Sequence, residues 1–227
     1  MSQRATARLG TTEKGGAMEW SRRLVVSLCL LLLAACGGGS SSSDTSKPST
    51  AASDLEVPSW SLPADPMSLA REAGLMPDTK EYLTYHVHAH LDVFVNGHPV
   101  EIPAGIGIEI TDPAVEKFGS GYGGIPEQGC EQVCISPLHT HDPDGVIHTE
   151  APSEARFTLG QFFVQMGIRL DASCVDEFCT PDVPVAVVVD GQRQSGNPAD
   201  IVLRDSQEIA IVIGTPPEEI PDTFSGG

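Results

Sequence analysis

Six of the seven histidines in this chain of 227 residues fall in two short stretches. They are His86, His88 and His90 in the first stretch and His139, His141 and His148 in the second. Side chains two positions apart on a β-strand project from the same face, so each His-x-His sequence presents two imidazoles to one surface. Imidazole is a good ligand for zinc, copper, iron and nickel. The pattern therefore predicts a divalent transition-metal site, with copper or zinc preferred to iron.

The first histidine stretch lies in a predicted β-strand that begins at Tyr85. Apolar and polar residues alternate as far as Val95, which places the three histidines on the face opposite the core. The dipeptide Asn96-Gly97 is a strong signal for a two-residue hairpin turn. This turn sets a register in which Leu91 faces Ile102 on the returning strand. The histidines then extend beyond the end of the hairpin.

The second histidine stretch contains a predicted turn, Asp142-Pro143-Asp144-Gly145. If strands flank this turn, His139 lies opposite His148, and His141 projects from the same face. Directly opposed Cβ atoms lie about 4.5–5.5 Å apart and i, i+2 neighbours about 7 Å apart, so these imidazoles form a triangle able to bind one ion. Glu150 shares the His148 face and could act as a general base or hold a ligand in place.

The two stretches are too extended for all six imidazoles to bind one ion. His86 and His90 lie about 13 Å apart along an ideal strand, so we expect three or four ligands drawn from both stretches, or two sites. The predicted ligands are His88, His90, His139, His141 and His148, with His86 at the margin of the site. Three imidazoles with an open position would favour catalysis, whereas a larger number would favour storage or delivery.

Four cysteines lie in the predicted folded region: Cys130, Cys134, Cys174 and Cys179. An exported protein enters an oxidising compartment, where two disulfides are expected. Three connectivities are possible, and two local pairs are our first expectation. The alternative is that Cys130 and Cys134 supply thiolates to a zinc ion near His139.

The N-terminal residues predict an export signal followed by a lipid anchor. Arg22-Arg23 precede an apolar run over residues 24–33, and Leu33-Ala34-Ala35-Cys36 resembles the bacterial lipobox, whose cysteine is diacylated. The run is shorter than the roughly 20 apolar residues of a membrane-spanning helix, which is the alternative. The paired arginines also fit a twin-arginine export signal. Met18 is a second possible start of translation.

We divide the chain into a signal peptide (1–35), a lipidated cysteine with a Gly/Ser-rich linker (36–57) and a single β-rich domain (58–227). Removal of residues 1–35 takes away five of 13 basic and two of 31 acidic residues. The remaining 8 basic and 29 acidic residues give a net charge of −21, against −18 for the full chain. Such a protein repels nucleic acid, so the expected partners are a metal ion and, through the lipid anchor, a membrane.

The remaining patterns predict a mainly β fold, either an antiparallel β-sandwich or a partly open barrel, with two short helices. The first helix has Asp65 as its N-cap and Pro66 at its first position, and it ends before Gly74. The second helix begins at Thr158, which forms a capping box with Gln161.

Six segments of the domain occur together: His-x-His-x-His-Leu (86–91), Val-Phe-Val-Asn-Gly (93–97), Ile-Pro-Ala-Gly-Ile-Gly-Ile (102–108), Leu-His-Thr-His-Asp (138–142), Gly-x-Ile-His-x-Glu (145–150) and Phe-Thr-Leu-Gly-Gln-Phe-Phe (157–163). In this combination the chain resembles a group of uncharacterised extracytoplasmic bacterial proteins. The group has no settled activity. The resemblance therefore implies a shared histidine site without naming a reaction.

No nucleophile elbow, phosphate loop or dinucleotide fingerprint occurs in the sequence, which favours binding over catalysis. We predict a lipoprotein on the extracytoplasmic face of the cell membrane that binds copper or zinc for storage, delivery or sensing. One alternative is a mononuclear hydrolase or oxygenase with Glu150 as its base. Another is a histidine patch without metal that responds to pH, because imidazole titrates near neutrality.

Overall fold

A computed structural model describes residues 55–224 of this chain. These residues belong to one compact unit. The predicted signal peptide, Cys36 and most of the predicted linker lie outside the described residues. Within residues 55–224, no helix has the length and apolar character needed to cross a membrane.

The described region is mainly β, with 31% strand and 11% helix, and it has the two short α-helices that the sequence predicts. The helices are α1 (Pro66–Glu72) and α2 (Leu159–Met166), and a 3-10 helix covers Pro198–Asp200. The strands are β1 (Tyr85–Val95), β2 (His98–Val100), β3 (Glu116–Phe118), β4 (Gly121–Gly123), β5 (Leu138–His139), β6 (Val146–Ala151), β7 (Cys174–Val175), β8 (Phe178–Cys179), β9 (Val185–Val189), β10 (Gln192–Arg193) and β11 (Gln207–Ile213).

Seven strands form the main sheet, in the order β10-β9-β11-β1-β6-β5, and β2 also pairs with β1. The sheet is mixed, because β1 and β11 run parallel whereas its other neighbouring strands are antiparallel. Parallel neighbours need a long connection, and β2 to β10 all lie between these two strands in sequence. The described strands leave the sheet open, with β10 and β5 at its ends.

One edge of β1 is shared between two partners. Residues 85–90 pair with β6, and residues 93–95 pair with β2. The opposite edge pairs with β11 over residues 89–95. Because β2 is only three residues long, the first half of the shared edge is left for β6. This pairing joins the two histidine stretches.

The hairpin between β1 and β2 is confirmed at its turn but is shorter than the sequence predicts. Asn96 and Gly97 both have positive φ, as a two-residue hairpin turn requires. The predicted pairing of Leu91 with Ile102 is wrong, because β2 ends at Val100. The backbone N–H of Leu91 donates instead to the carbonyl of Gly145, at 3.0 Å.

The core lies on the face of β1 that the alternating pattern predicts. Its four most buried members on this strand are Ala89, Leu91, Val93 and Val95, all 1% exposed or less. Helix α2 covers this core with Phe162 and Phe163, and full burial of each such side chain contributes about 1.5–3 kcal/mol. The predicted capping box at Thr158 is present and fixes the start of this helix. The opposite face of β1 carries the three histidines of this strand.

The four cysteines of the described region form two local disulfides, as expected. Cys174–Cys179 joins β7 to β8, and Cys130–Cys134 packs in a small apolar cluster with Ile135. These four sulfurs are bonded in pairs, so the alternative of a zinc site built on the Cys130 and Cys134 thiolates is wrong.

Candidate metal centre

The two histidine stretches meet where β1, β6 and β5 pair. His88 faces His148 across β1 and β6, and His139 faces His148 across β5 and β6. The second of these pairs is the one that the turn at residues 142–145 predicts. His86 faces Glu150 in the same ladder. Five imidazoles and one carboxylate therefore share a small region at this end of the sheet.

Backbone carbonyls fix the orientation of two of these imidazoles. His139 Nδ1 lies 2.9 Å from the Ser136 carbonyl oxygen, and His141 Nδ1 lies 2.7 Å from that of Tyr122. A carbonyl only accepts hydrogen bonds, so each Nδ1 donates and each Nε2 of the neutral ring keeps a lone pair. The two Nε2 atoms are only 3.2 Å apart, a separation at which two lone pairs repel. A cation between them would turn this repulsion into attraction.

The spacing of these two nitrogens fits a bound metal ion. Nitrogen ligands at 2.0–2.1 Å from a tetrahedral zinc ion lie about 3.3 Å from each other, close to the observed separation. Glu150 Oε1 lies 3.8 Å from His139 Nε2 and 3.9 Å from His148 Nδ1. We call His139, His141, His148 and Glu150 the inner group, whose ligand atoms all lie within 4.8 Å of one another.

A second set of ligand atoms overlaps the first. His86 Nε2 lies 2.9 Å from His88 Nε2 and 3.4 Å from His148 Nδ1. We call His86, His88 and His148 the outer group, whose ligand atoms also lie within 4.8 Å of one another. The His86 side chain is 31% exposed, whereas His139 is completely buried. The cluster therefore extends from the protein surface into the interior.

Burial keeps two imidazoles of the inner group, His139 and His148, neutral. Burial away from solvent is the main cause that holds the pKa of His139 well below its usual value, and the neighbouring His141 and His148 act in the same direction. Burial is also the main cause that lowers the pKa of His148 to about 3, with His141 adding to the effect. A metal binds the neutral form of histidine. These two rings are thus ready to bind a cation at neutral pH without first losing a proton.

Glu150 is the acidic member of the inner group. Burial raises its pKa to about 7, and Glu81 acts in the same direction, whereas the backbone N–H of Tyr82 lowers it. Its Oε2 atom is buried and has no hydrogen-bond partner among the described residues. A cavity of about 140 Å³ adjoins this carboxylate and includes Lys80 and Ser136 in its lining. A nearby cation would favour the ionised carboxylate, and the unpartnered Oε2 atom would be free to bind it.

His90 lies on the same face of β1 but joins a different set of groups. Its Nδ1 is 2.9 and 3.1 Å from the two Glu208 oxygens, and its Nε2 is 2.8 Å from the Asp144 carbonyl. The hydrogen bond to Glu208 is the main cause that raises the pKa of His90 to about 9. His90, Asp92 and Glu208 are close enough to surround an ion. However, both nitrogens of His90 face acceptors, and in the charged ring both nitrogens carry a proton. Neither nitrogen therefore has a lone pair that could bind a metal ion.

The predicted site residues thus separate into two places. The structure brings His86 into the cluster and leaves His90 outside it, although sequence spacing suggests the opposite arrangement. The β3–β4 hairpin, which the sequence analysis does not identify, supplies the Tyr122 carbonyl. Gly123 lies against the His141 ring, and a Cβ atom there would be 2.6 Å from Nδ1. The only sequence signal for this approach is the series of glycines at positions 119, 121, 123 and 124.

We predict that the His90–Glu208 interaction makes stability fall as pH rises above neutrality. Below about pH 6.5 both the folded and unfolded states carry the proton, so the interaction contributes fully. Between pH 6.5 and about 9 only the folded state keeps it, and a contribution of up to about 3 kcal/mol is lost. Urea unfolding should show that the stability advantage of the wild type over His90→Gln shrinks across this range.

The exposed His98 provides the control for this measurement. The free energy of unfolding of His98→Gln should follow that of the wild type at every pH. A wild-type advantage over His90→Gln that stays constant from pH 6 to pH 9.5 would contradict the charged state of His90.

Comparisons with known proteins add no assignment to this site. The chain matches no protein-family model, curated protein or solved structure. The resemblance to extracytoplasmic bacterial proteins therefore stays a prediction. The side chains and backbone groups of this chain are therefore the basis for its function.

Proposed function

We propose that this protein is a lipoprotein on the extracytoplasmic face of the cell membrane that binds copper(II) or zinc(II) through its histidine cluster, for storage, delivery or sensing. One observation carries the metal-binding part of this proposal. Two Nε2 atoms lie 3.2 Å apart while hydrogen bonds to carbonyls hold both Nδ1 protons away from them. Without a cation, this arrangement brings two lone pairs together at a cost.

The choice of metal follows from the donor atoms. The cluster offers imidazole nitrogens and one carboxylate, and the four cysteines of the described region are in disulfides. Such nitrogen and oxygen donors favour a borderline divalent ion over copper(I), and copper(II) binds more tightly than zinc(II) to a given site of this kind. A catalytic zinc site usually has three protein ligands. A cluster with five imidazoles favours binding and transfer over catalysis.

The cellular location is the second part of the proposal. The apolar run that ends at Leu33-Ala34-Ala35-Cys36 supports export and lipidation, and the Gly/Ser-rich residues that follow suit a tether. Both disulfides are of the kind that forms and persists in an oxidising compartment. An anchored protein of this kind would meet metal ions outside the cytoplasm.

We predict that alanine at His139 or at His141 abolishes stoichiometric binding of copper(II) and zinc(II) in the inner group, so that each variant binds fewer equivalents than the wild type. Each substitution removes one of the two opposed Nε2 atoms, so the remaining inner donors no longer enclose an ion. Isothermal titration calorimetry on protein without a polyhistidine tag measures this effect, and circular dichroism checks that each variant is folded. Alanine at the exposed His98 is the matched control and should leave binding unchanged. Equal affinity in all three variants and the wild type would refute the proposed site.

We predict that Cys36→Ser releases the protein from the membrane fraction or halts its processing. The serine hydroxyl cannot replace the thiol that receives the lipid in a lipobox protein. Cell fractionation and mass spectrometry of the mature N-terminus test this, with Cys29→Ser in the apolar run as the matched control. A wild-type protein found in the cytoplasmic fraction would contradict the proposed location.

A metalloenzyme is the second candidate, and the buried, unpartnered Oε2 of Glu150 is the observation that favours it. A carboxylate beside a metal-bound water can act as a general base, which typically contributes 10²- to 10⁴-fold to the rate. The binding proposal expects no metal-dependent hydrolysis of an activated ester such as p-nitrophenyl acetate. A wild-type rate that Glu150→Gln lowers by about 10²-fold or more, with the metal retained, would favour the enzyme instead.

A further inference from the structure

The imidazoles of the cluster form two pairs, with His148 between them. The ring centroids are 4.6 Å apart in the His86–His88 pair and 4.7 Å apart in the His139–His141 pair. His148 contacts the members of both pairs, at centroid distances of 4.3–5.6 Å. Among the described residues, no ring contact joins one pair to the other. A single ion at the centre of all five rings does not fit this arrangement.

We infer that the cluster binds two metal ions at once, one in the inner group and one in the outer group, with His148 donating one ring nitrogen to each. This inference rests on the proposed metal-binding function. It adds a second site and assigns a bridging role to His148, which the metal-binding proposal by itself does not require.

The number of donors supports two ions. The cluster has five imidazoles and a carboxylate, whereas a tetrahedral ion takes four ligands. His86 and His88 are as close to each other as two ligands of one ion, with their Nε2 atoms 2.9 Å apart. His139 and His141 form the corresponding pair in the interior, at 3.2 Å. The interior pair therefore has the spacing of two ligands of a tetrahedral ion, and the surface pair needs to open by only about 0.4 Å to reach it.

His148 is suited to a position between two ions because its nitrogens are not committed to the backbone. His139 and His141 each donate Nδ1–H to a carbonyl, whereas within residues 55–224 His148 makes no hydrogen bond to a carbonyl. Its Nδ1 lies 3.4 Å from His86 Nε2 and 3.9 Å from Glu150 Oε1. The bridging role assigns this nitrogen to the outer ion and the other ring nitrogen, Nε2, to the inner ion. Binding at both nitrogens requires the ring to release its N–H proton to solvent, and two cations favour that release.

Glu150 lies at the boundary between the two groups. Its Oε1 atom is 3.3 Å from His86 Nε2 in the outer group and 3.8 Å from His139 Nε2 in the inner group. A carboxylate with two oxygens can offer one to each ion. The unpartnered Oε2 is thus available as a further donor.

The two sites differ in access to solvent. Side-chain exposure falls from 31% for His86 to 18% for His148 and to zero for His139. An ion in the outer group should therefore exchange readily, and an ion in the inner group should be retained. This order suits a protein that captures metal at its surface and holds a second ion behind it.

The test is a copper(II) titration of the full, untagged chain in detergent, with electron paramagnetic resonance at each loading. We expect two equivalents in the wild type and in His98→Ala, but one in the double variant with His86→Ala and His88→Ala. The fully loaded wild type should show magnetic coupling between two copper(II) ions. The half-loaded wild type and the double variant should show an uncoupled signal.

The outcomes separate this inference from the proposal on which it rests. No stoichiometric binding by the wild type would contradict the metal-binding proposal itself. One equivalent in both the wild type and the double variant would overturn the outer site and leave that proposal intact. Two equivalents that persist in the double variant but fall to one with Glu208→Gln would place the second ion beside His90 and overturn the inference. Two uncoupled ions in the wild type would overturn the bridging role of His148.

Discussion

The short length of β2 is the constraint on which the histidine cluster depends. β2 occupies only residues 93–95 of one edge of β1, so the first half of that edge is available to β6. The antiparallel register then places His88 opposite His148, and the pairing of β5 with β6 places His139 opposite the same residue. If the hairpin continued to Leu91 and beyond, it would displace β6 and separate the two histidine stretches.

Two histidines only four residues apart on β1 differ in their surroundings and therefore in their chemistry. His90 lies between a carboxylate and a carbonyl, which raises its pKa to about 9 and makes it a cation. His86 lies beside other imidazoles, and burial is the main cause that lowers its pKa. His139 and His141 each direct their one N–H at a backbone carbonyl, so no ring donor lies between their two Nε2 lone pairs. A metal ion satisfies several of these lone pairs at once.

Local sequence patterns predicted much of the framework. The alternation of β1, the turn at Asn96-Gly97 and the capping box at Thr158 each depend on residues close in sequence, and each is present. His86 joins the cluster and His90 lies outside it because of contacts with residues that are distant in sequence. Glu208 comes from β11, which reaches β1 through a parallel pairing that the sequence does not reveal. Strands as short as β3 and β4 give too few residues for a periodic signal, so the carbonyl behind His141 could not be foreseen.

X-ray absorption spectroscopy of the protein loaded with copper(II) or zinc(II) identifies the donor atoms around the bound ion. The opposed imidazoles and the adjacent carboxylate define a site of nitrogen and oxygen donors. We expect nitrogen and oxygen scatterers at about 2.0–2.1 Å for zinc, with the outer-shell features of several imidazoles and no sulfur. A sulfur shell at about 2.3 Å, or first-shell oxygens without imidazole features, would contradict it.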